Sequence, residues 1–419
     1  MSLFGALNIG VAGLDAFSNA MSITSSNIAN VNTVGYKTST NNFATLLSNT
    51  IDTVDSASGV VQGATQNVTQ QGLLQAASST TDLGIQGNGF FVVNTQSDGT
   101  GATYYTRAGN FAPDANGDLQ NANGYYLMGY STDATGATGN TLSTINIDNL
   151  SGKAQPTTTM TLQANLQSST AVGAPAFTRN VNVYDSQGGT QPLSIAFTKS
   201  GANTWDYTVS YAGDAGNITG ANPIYSGTMA FNTDGTLANA DTTQATPSGD
   251  ITLNIPWSAA SGLAAQTVTV NMGTLNASDG VSQFDSASGL TNSSVNGALF
   301  GSLNGVSVDT SGNITAQFTN GLTQKIGEVP LATFANEDGL SAVSGTAFAQ
   351  SGTSGAAIVS SAGTSGAGQI QDSSLEGSTV DLAGEFTDLI TTQRAYSASA
   401  RIVTTADQML QTLEQLPSQ

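Results

Sequence analysis

The chain has no cysteine and no histidine. Without cysteine there is no disulfide, no thiolate nucleophile and no thiolate metal ligand. Without histidine there is no imidazole base, no His-dependent triad and no His-ligated metal. Charge is scarce as well: 9% of residues are charged, and 8 basic residues stand against 28 acidic ones, for a net charge of −20. A chain this acidic offers no basic footprint to nucleic acid or to an anionic membrane surface. The acids are not clustered, so they read as a solubilising background. No apolar run reaches the roughly 18 residues of a membrane-spanning helix, so membrane insertion is not expected. The N-terminus lacks a basic segment ahead of an apolar core, so any export is expected to proceed without a cleaved signal peptide.

What the chain has in quantity is glycine, 48 residues of 419, together with Ser, Thr and Asn. That is a composition of turns and β structure, in a length that suits about two or three domains. The exceptions are the two ends. Leu3, Leu7, Val11, Leu14, Phe17, Met21, Thr24 and Ile28 are spaced by three and four, and Leu7, Leu14, Met21 and Ile28 recur at every seventh residue, which marks one apolar helix face. Gly5, Gly10 and Gly13 each cost such a helix roughly 1 kcal/mol against Ala, and Asp15 is its only charge. A segment of this kind is expected to be helical only when packed on several sides. At the far end Leu382, Leu389, Tyr396, Val403 and Leu410 also recur every seven. Ser378 and Asp381 have capping-box spacing, early acids and later arginines suit the helix dipole, and Pro417 stands beyond the last apolar residue. Helices at opposite ends with matching periods most simply pack together, leaving the middle as an insertion.

In that middle the period changes to two. Phe90–Val93, Tyr125–Leu127, Val181–Tyr184, Leu193–Phe197, Tyr207–Tyr211 and Ile314–Phe318 read as strands, punctuated by turn pairs such as Asn116-Gly117, Asp234-Gly235 and Asn320-Gly321. Ser351 to Gly368 reads as a Gly/Ser-rich linker. Two stretches mimic ligand loops and fail on spacing. Asp114-Ala-Asn-Gly-Asp118 has its glycine at the fourth place, and Tyr125 stands where a calcium loop needs a Glu. Gly84-Ile-Gln-Gly-Asn-Gly89 lacks the residues of a phosphate loop. Both are read as turns.

The first helix ends in Ala29-Asn-Val-Asn-Thr-Val-Gly-Tyr-Lys37. Asn and Gly tolerate left-handed backbone, so Asn30, Asn32 and Gly35 can end the helix and turn the chain. This stretch resembles the signature of the bacterial flagellar axial (rod and hook) proteins. Asp82–Val93 and Tyr105-Thr-Arg-Ala-Gly-Asn-Phe111 resemble core β segments of that family, and Leu375-Glu-Gly-Ser-Thr-Val-Asp-Leu382 through Gln393-Arg-Ala-Tyr396 to Leu410 resembles its C-terminal helix. The block from about 149 to 283, with Val183-Tyr-Asp-Ser-Gln-Gly188, is similar to hook rather than rod members, as is Phe334-Ala-Asn336 with Gly339-Leu340. Thr379, where the family usually has Asn, is a departure.

The resemblance implies a mainly β protein with α-helical termini. The expected organisation is an inner coiled-coil domain at 1–32 and 372–419, joint or linker segments at 33–75 and 355–371, an inner β domain at 76–148 and 284–354, and an outer β domain at 149–283. The two β-rich domains are expected to be barrel- or sandwich-like and stacked. Leu7, Leu14, Met21, Ile28, Leu382, Leu389, Tyr396, Val403 and Leu410 are the expected assembly seam, and Ala29, Asn30, Asn32, Thr33, Gly35 and Tyr36 the expected joint. The implied role is a structural subunit, neither an enzyme nor a cofactor protein, that self-assembles into the curved, bendable hook tube transmitting motor torque to the filament. The implied setting is extracellular. The implied partners are further copies of itself, the rod proximally, hook–filament junction proteins distally, and the hook cap and export apparatus during assembly. A distal rod subunit and a secreted β-rich adhesin remain as alternative readings.

Overall fold

The computed structural model describes residues 3–46, 59–132, 138–147 and 152–414. Two long helices, α1 (Leu3–Ala29) and α2 (Leu382–Glu414), stand at the ends of a chain that is otherwise strands and turns. Pro417 lies outside the described residues. None of the described helices is long and apolar enough to cross a membrane. Contacts divide the chain into two units. One comprises Met1–Asn149, Val306–Ala316 and Gln324–Gln419, the other Leu150–Gly305 and Gln317–Thr323.

In the first unit α1 and α2 pack antiparallel: Gly10 lies against Val403, Gly13 against Ser399, and Asn27 reaches Glu385. Asp381 begins α2 as its own cap, accepting from the Ala383 amide at 3.1 Å, so the cap is Asp381 rather than Ser378. The α1 helix also packs on a hairpin, Ser39–Leu46 with Gly59–Gln66, where Phe17 and Phe43 meet at a ring distance of 5.7 Å. The β core of this unit is built around Phe90–Asn94, every residue of which is buried. That strand pairs with Thr103–Thr106, Tyr126–Thr132 and Pro330–Thr333, and Phe90 packs edge-on against Phe334 and Phe348. A strand covered on both faces reads as an unbroken apolar run, as Phe-Phe-Val-Val does.

Described parts of the segments expected as joints or linkers lie in paired strands and tight turns. Leu74–Ala76 pairs antiparallel with Ser374–Glu376, and Leu83–Gln86 with Gln369–Asp372. Ile358–Ser361 pairs with Pro330–Thr333, and Ser354 is fully buried. The Gly/Ser richness of 351–368 serves turns with positive φ at Gly355, Gly363 and Gly366, which L side chains rarely adopt.

The second unit is two sheets around one core. A meander of Phe177–Tyr184, Thr190–Lys199, Thr204–Tyr211, Tyr225–Phe231 and Leu237–Asn239 faces a sheet ordered Asp250–Ile255, Gln266–Asn271, Thr159–Asn165 and Val281–Ser282, with Gly289–Val295 also paired to Thr159–Asn165. Burial alternates strictly, with Leu193, Ile195 and Phe197 inward on one sheet and Ile251, Leu253 and Ile255 on the other, the period-two signature of half-buried strands. The pairing of Gly289–Val295 with Thr159–Asn165 carries residues 284–305 into this unit, although the sequence pattern assigns them to the inner β domain.

Candidate functional site

The joint begins where α1 runs out. The Asn30 amide closes the last turn on the Ser26 carbonyl at 3.2 Å, and its side chain donates to the same carbonyl. The Thr33 hydroxyl donates to Asn30 Oδ1. Ala29 and Asn32 are exposed, and Asn30, Thr33 and Tyr36 are half-buried. Gly35 is buried with φ +68°, and a Cβ there would lie 2.6 Å from the Ala108 amide nitrogen. Both the left-handed backbone and the close approach require glycine. Its amide donates to the Glu376 carbonyl at 2.8 Å.

The turn at Gly35 delivers Lys37 into a buried charge cluster. Lys37 Nζ lies 2.7 Å from Glu376 Oε1, and Arg107 Nη1 lies 3.2 Å from Glu376 Oε2. Lys37 also donates to the Gln70 carbonyl, and the Gly72 amide donates to Glu376 Oε1 at 2.8 Å. The Lys37 and Glu376 side chains are fully buried and that of Arg107 is 2% exposed. The Arg107 guanidinium lies over the Phe90 ring, while its Nε has no hydrogen-bond partner. Burial pushes the Lys37 pKa below its ordinary value; Glu376 opposes that shift and Arg107 adds to it. Removing one member of such a buried cluster typically costs about 3–5 kcal/mol, because the others stay buried and unpaired.

One carboxylate thus gathers residues 37, 72 and 107, and its backbone takes Gly35. Sequence reasoning quoted the three stretches that supply Lys37, Arg107 and Glu376 without singling out these residues. The available signal was rarity: four of only 8 basic residues, Lys37 and Arg107 among them, fall inside those stretches. A second set of bonds centres on Asn27, which is 1% exposed. Asn27 Nδ2 donates to the Ser39 carbonyl and to Glu385 Oε1, both at 2.8 Å, and its Oδ1 accepts from the Tyr36 hydroxyl and the Ser39 amide. Burial raises the Glu385 pKa, and the Asn27 hydrogen bond opposes that shift. Thr379 takes the Thr38 amide on its hydroxyl at 2.9 Å.

The helix seam follows a heptad, in a register one residue away from the large apolar set on α1. The buried side of α1 is Gly10, Gly13, Ala16, Ala20, Thr24 and Asn27. Leu7, Leu14, Met21 and Ile28 are half-buried beside it. A Cβ on Gly10 would lie 2.8 Å from Val403 Cγ2, and one on Gly13 2.9 Å from Ser399 Oγ. The glycines that weaken α1 as an isolated helix are therefore the ones that let α2 approach. On α2, Leu389, Val403 and Leu410 are half-buried, Ser399 and Ala406 are buried, and Leu382 and Tyr396 are each 39% exposed. Among the described residues no group of His, Cys, Asp or Glu converges to hold a metal.

Comparison with known proteins follows these elements. The profile for the flagella basal body rod protein matches residues 7–37, and that for the flagellar basal body rod FlgEFG protein C-terminal region matches 371–416. The flagellar hook protein FlgE/F/G D1 domain matches 84–169, and the flagellar basal body protein FlaE D2 domain 174–298. The flagellar hook protein FlgE of Brucella melitensis is 34% identical, over 99% of this chain and 100% of its own length. The chain belongs to the flagellar hook protein family. It is a structural subunit of the flagellar hook, and this is not a family of enzymes. The hook protein FlgE of Escherichia coli K12 is 31% identical over 97% of this chain and 98% of its own. Among solved structures, the Helicobacter pylori hook protein FlgE2 covers 72% of this chain and 100% of its own, at TM-score 0.49 and 16% identity. The matches at 7–37 and 371–416 bracket the helix pair and two corners of the charge cluster, Lys37 and Glu376.

Proposed function

We propose that this hook subunit polymerises with copies of itself through the α1–α2 pair, that the pair forms a coiled-coil inner layer of a curved, bendable tube, and that the Lys37–Glu376–Arg107 joint holds the pair against the β core of its unit. The observation that carries the reading is a mismatch on the pair. Its internal seam is mostly Gly, Ala, Ser and Thr, with Val403 against Gly10, while large apolar side chains face outward: Phe4 is 66% exposed, Phe386 51%, Ile390 51% and Met409 54%. Phe386 and Ile402 lie on opposite flanks of the face that α2 turns to α1, by the helical repeat of about 100° per residue. Apolar side chains on both flanks suit a helix packed on several sides. The half-buried set Leu7, Leu14, Met21 and Ile28 supplies further surface for the same contacts. Head-to-tail contact between identical copies builds an open helical array. By family resemblance its neighbours are the rod, the hook–filament junction, the cap and the export apparatus, and it works outside the cell. In this reading 149–283, the expected outer β domain, tunes contacts between copies that decide the tube's curvature.

Phe386→Asp tests the polymerising element. The side chain is 51% exposed and lies away from the face that α2 turns to α1, so the charge leaves the isolated fold intact and meets a neighbour only in the tube. Far-UV circular dichroism and the melting curve are expected to be unchanged, while sedimentation and electron microscopy show loss of tubes. Normal tubes from this variant would remove α2 from the interface between copies.

A further inference from the structure

We infer that adjacent copies are held in register by one specific charge contact, in which Asp15 of one subunit sits between Arg394 and Arg401 of the next. The inference rests on the reading of the helix pair as the polymerising element, and its test separates the two.

The outer face of α1 is unusual for a face turned to water. The helix spans 27 residues and Asp15 is its only charge. Asp15 is exposed, as are Asn8, Val11, Ser18, Ser22 and Ser25 on the same side, nearly opposite the face that Gly10, Gly13, Ala20 and Thr24 turn to α2. A helix face exposed to solvent normally carries several charges; this one carries small, neutral side chains and a single carboxylate, which suits close contact with another helix.

The outer face of α2 is its complement. Arg394 and Arg401 are exposed and lie on the side opposite Ser399, Val403 and Ala406, so both point away from α1. They are seven residues apart, roughly 10 Å along the helix axis. Around them Ile390, Ala398 and Ile402 line a shallow groove. Among the described residues Asp15 has no ion-pair partner, and neither guanidinium has an ion-pair or hydrogen-bond partner. In a chain of net charge −20 with 8 basic residues, two unpaired arginines on one groove and one unpaired carboxylate on the opposite helix are complementary charges that a single subunit cannot join. A second copy can. The contact pairs two different faces, so it repeats without closing on itself. Pairing one anion with two cations on otherwise neutral faces also sets axial register, since a slip by one helical turn leaves a charge desolvated and unmatched.

The experiment uses full-length protein and charge reversal. Asp15→Arg alone, and Arg394→Glu with Arg401→Glu, are each expected to raise the concentration needed for polymerisation by at least about tenfold, since like charges then meet. An equimolar mixture of the two is expected to polymerise near the wild-type concentration, because alternating copies restore every contact. Asp15→Asn, which brings no repulsion, gives a smaller rise, and added salt then weakens polymerisation less than it does in wild type. If the reversed variants polymerise like wild type while Phe386→Asp does not, the charge contact is wrong and the helix-pair reading stands. If the mixture fails although both variants keep their circular dichroism, the charges do not meet across copies and the inference is overturned.

Discussion

The two units hold themselves together by different means. The second closes on a continuous apolar core that runs from Met160 to Val281 and includes Trp205, Tyr207, Phe197 and Leu253, all within a few per cent of full burial. The first has apolar packing too, around Phe90 and Phe348 and at the buried Leu83, Ile85, Phe91, Phe111 and Leu331. Its two ends are joined by a seam of small residues and a buried three-residue charge cluster. An apolar core gains stability from area removed from water and tolerates local error. A buried ionic cluster contributes little net stability, yet is costly to break. The difference teaches that the second unit is built to stand alone, whereas the joined ends of the first are built to a single geometry.

The largest break in this comparison is expected from Glu376→Ala. It strands Lys37, Arg107 and the Gly72 amide, and should lower the stability of the first unit by about 3–5 kcal/mol. Urea unfolding followed separately at Trp205, whose unit does not contain Glu376, is expected to show that transition unmoved. A joint shift of both transitions would contradict the division of labour. The converse break is Leu253→Ala, which opens a cavity in the second unit and should cost about 2–5 kcal/mol there. Tubes are still expected to form, and their loss would show that assembly depends on that core.

The smallest effect sharpens the comparison by pH. Burial holds the Lys37 pKa below 10.5 in the folded chain. Between that lowered value and 10.5 the unfolded chain keeps a proton that the folded chain has released. The Lys37 contribution to stability therefore rises with pH across that window and falls as pH drops through the folded value, by at most about 1.4 kcal/mol per pH unit. Urea midpoints of the first unit measured through the alkaline range should show this rise in wild type relative to Lys37→Met. Parallel profiles would mean that Lys37 titrates in the folded chain as it does in the unfolded one.

The helical ends and the strands with the clearest alternation were legible in the sequence, because period and punctuation are local signals. Leu193–Phe197 lies inside the strand Thr190–Lys199, and Tyr207–Tyr211 inside Thr204–Tyr211. The seam was harder. Its heptad was visible, but the eye follows Leu7, Leu14, Met21 and Ile28, and the face turned to α2 is marked by glycine and alanine, whose role is absence of bulk. The apparent linker at 351–368 misled for a related reason: Gly and Ser are read as looseness, and here they make turns whose hydroxyls satisfy buried backbone, as Ser354 Oγ does with the Ser351 carbonyl. Rarity of basic residues could mark Lys37 and Arg107, but their meeting with Glu376 was not legible, since long-range strand pairing brings that carboxylate in.

That distance has a consequence for the making of the molecule. Glu376 follows Lys37 by 339 residues. A ribosome finishes Lys37 and Arg107 long before their counter-ion exists, and two cations without one do not leave water cheaply. The joint therefore cannot close until synthesis has passed residue 376, with α2 still to follow. A chain cut short at any point before residue 376 lacks the carboxylate and cannot close it, so the buried cluster acts as a check, made of charge alone, that the chain has reached its C-terminal helix.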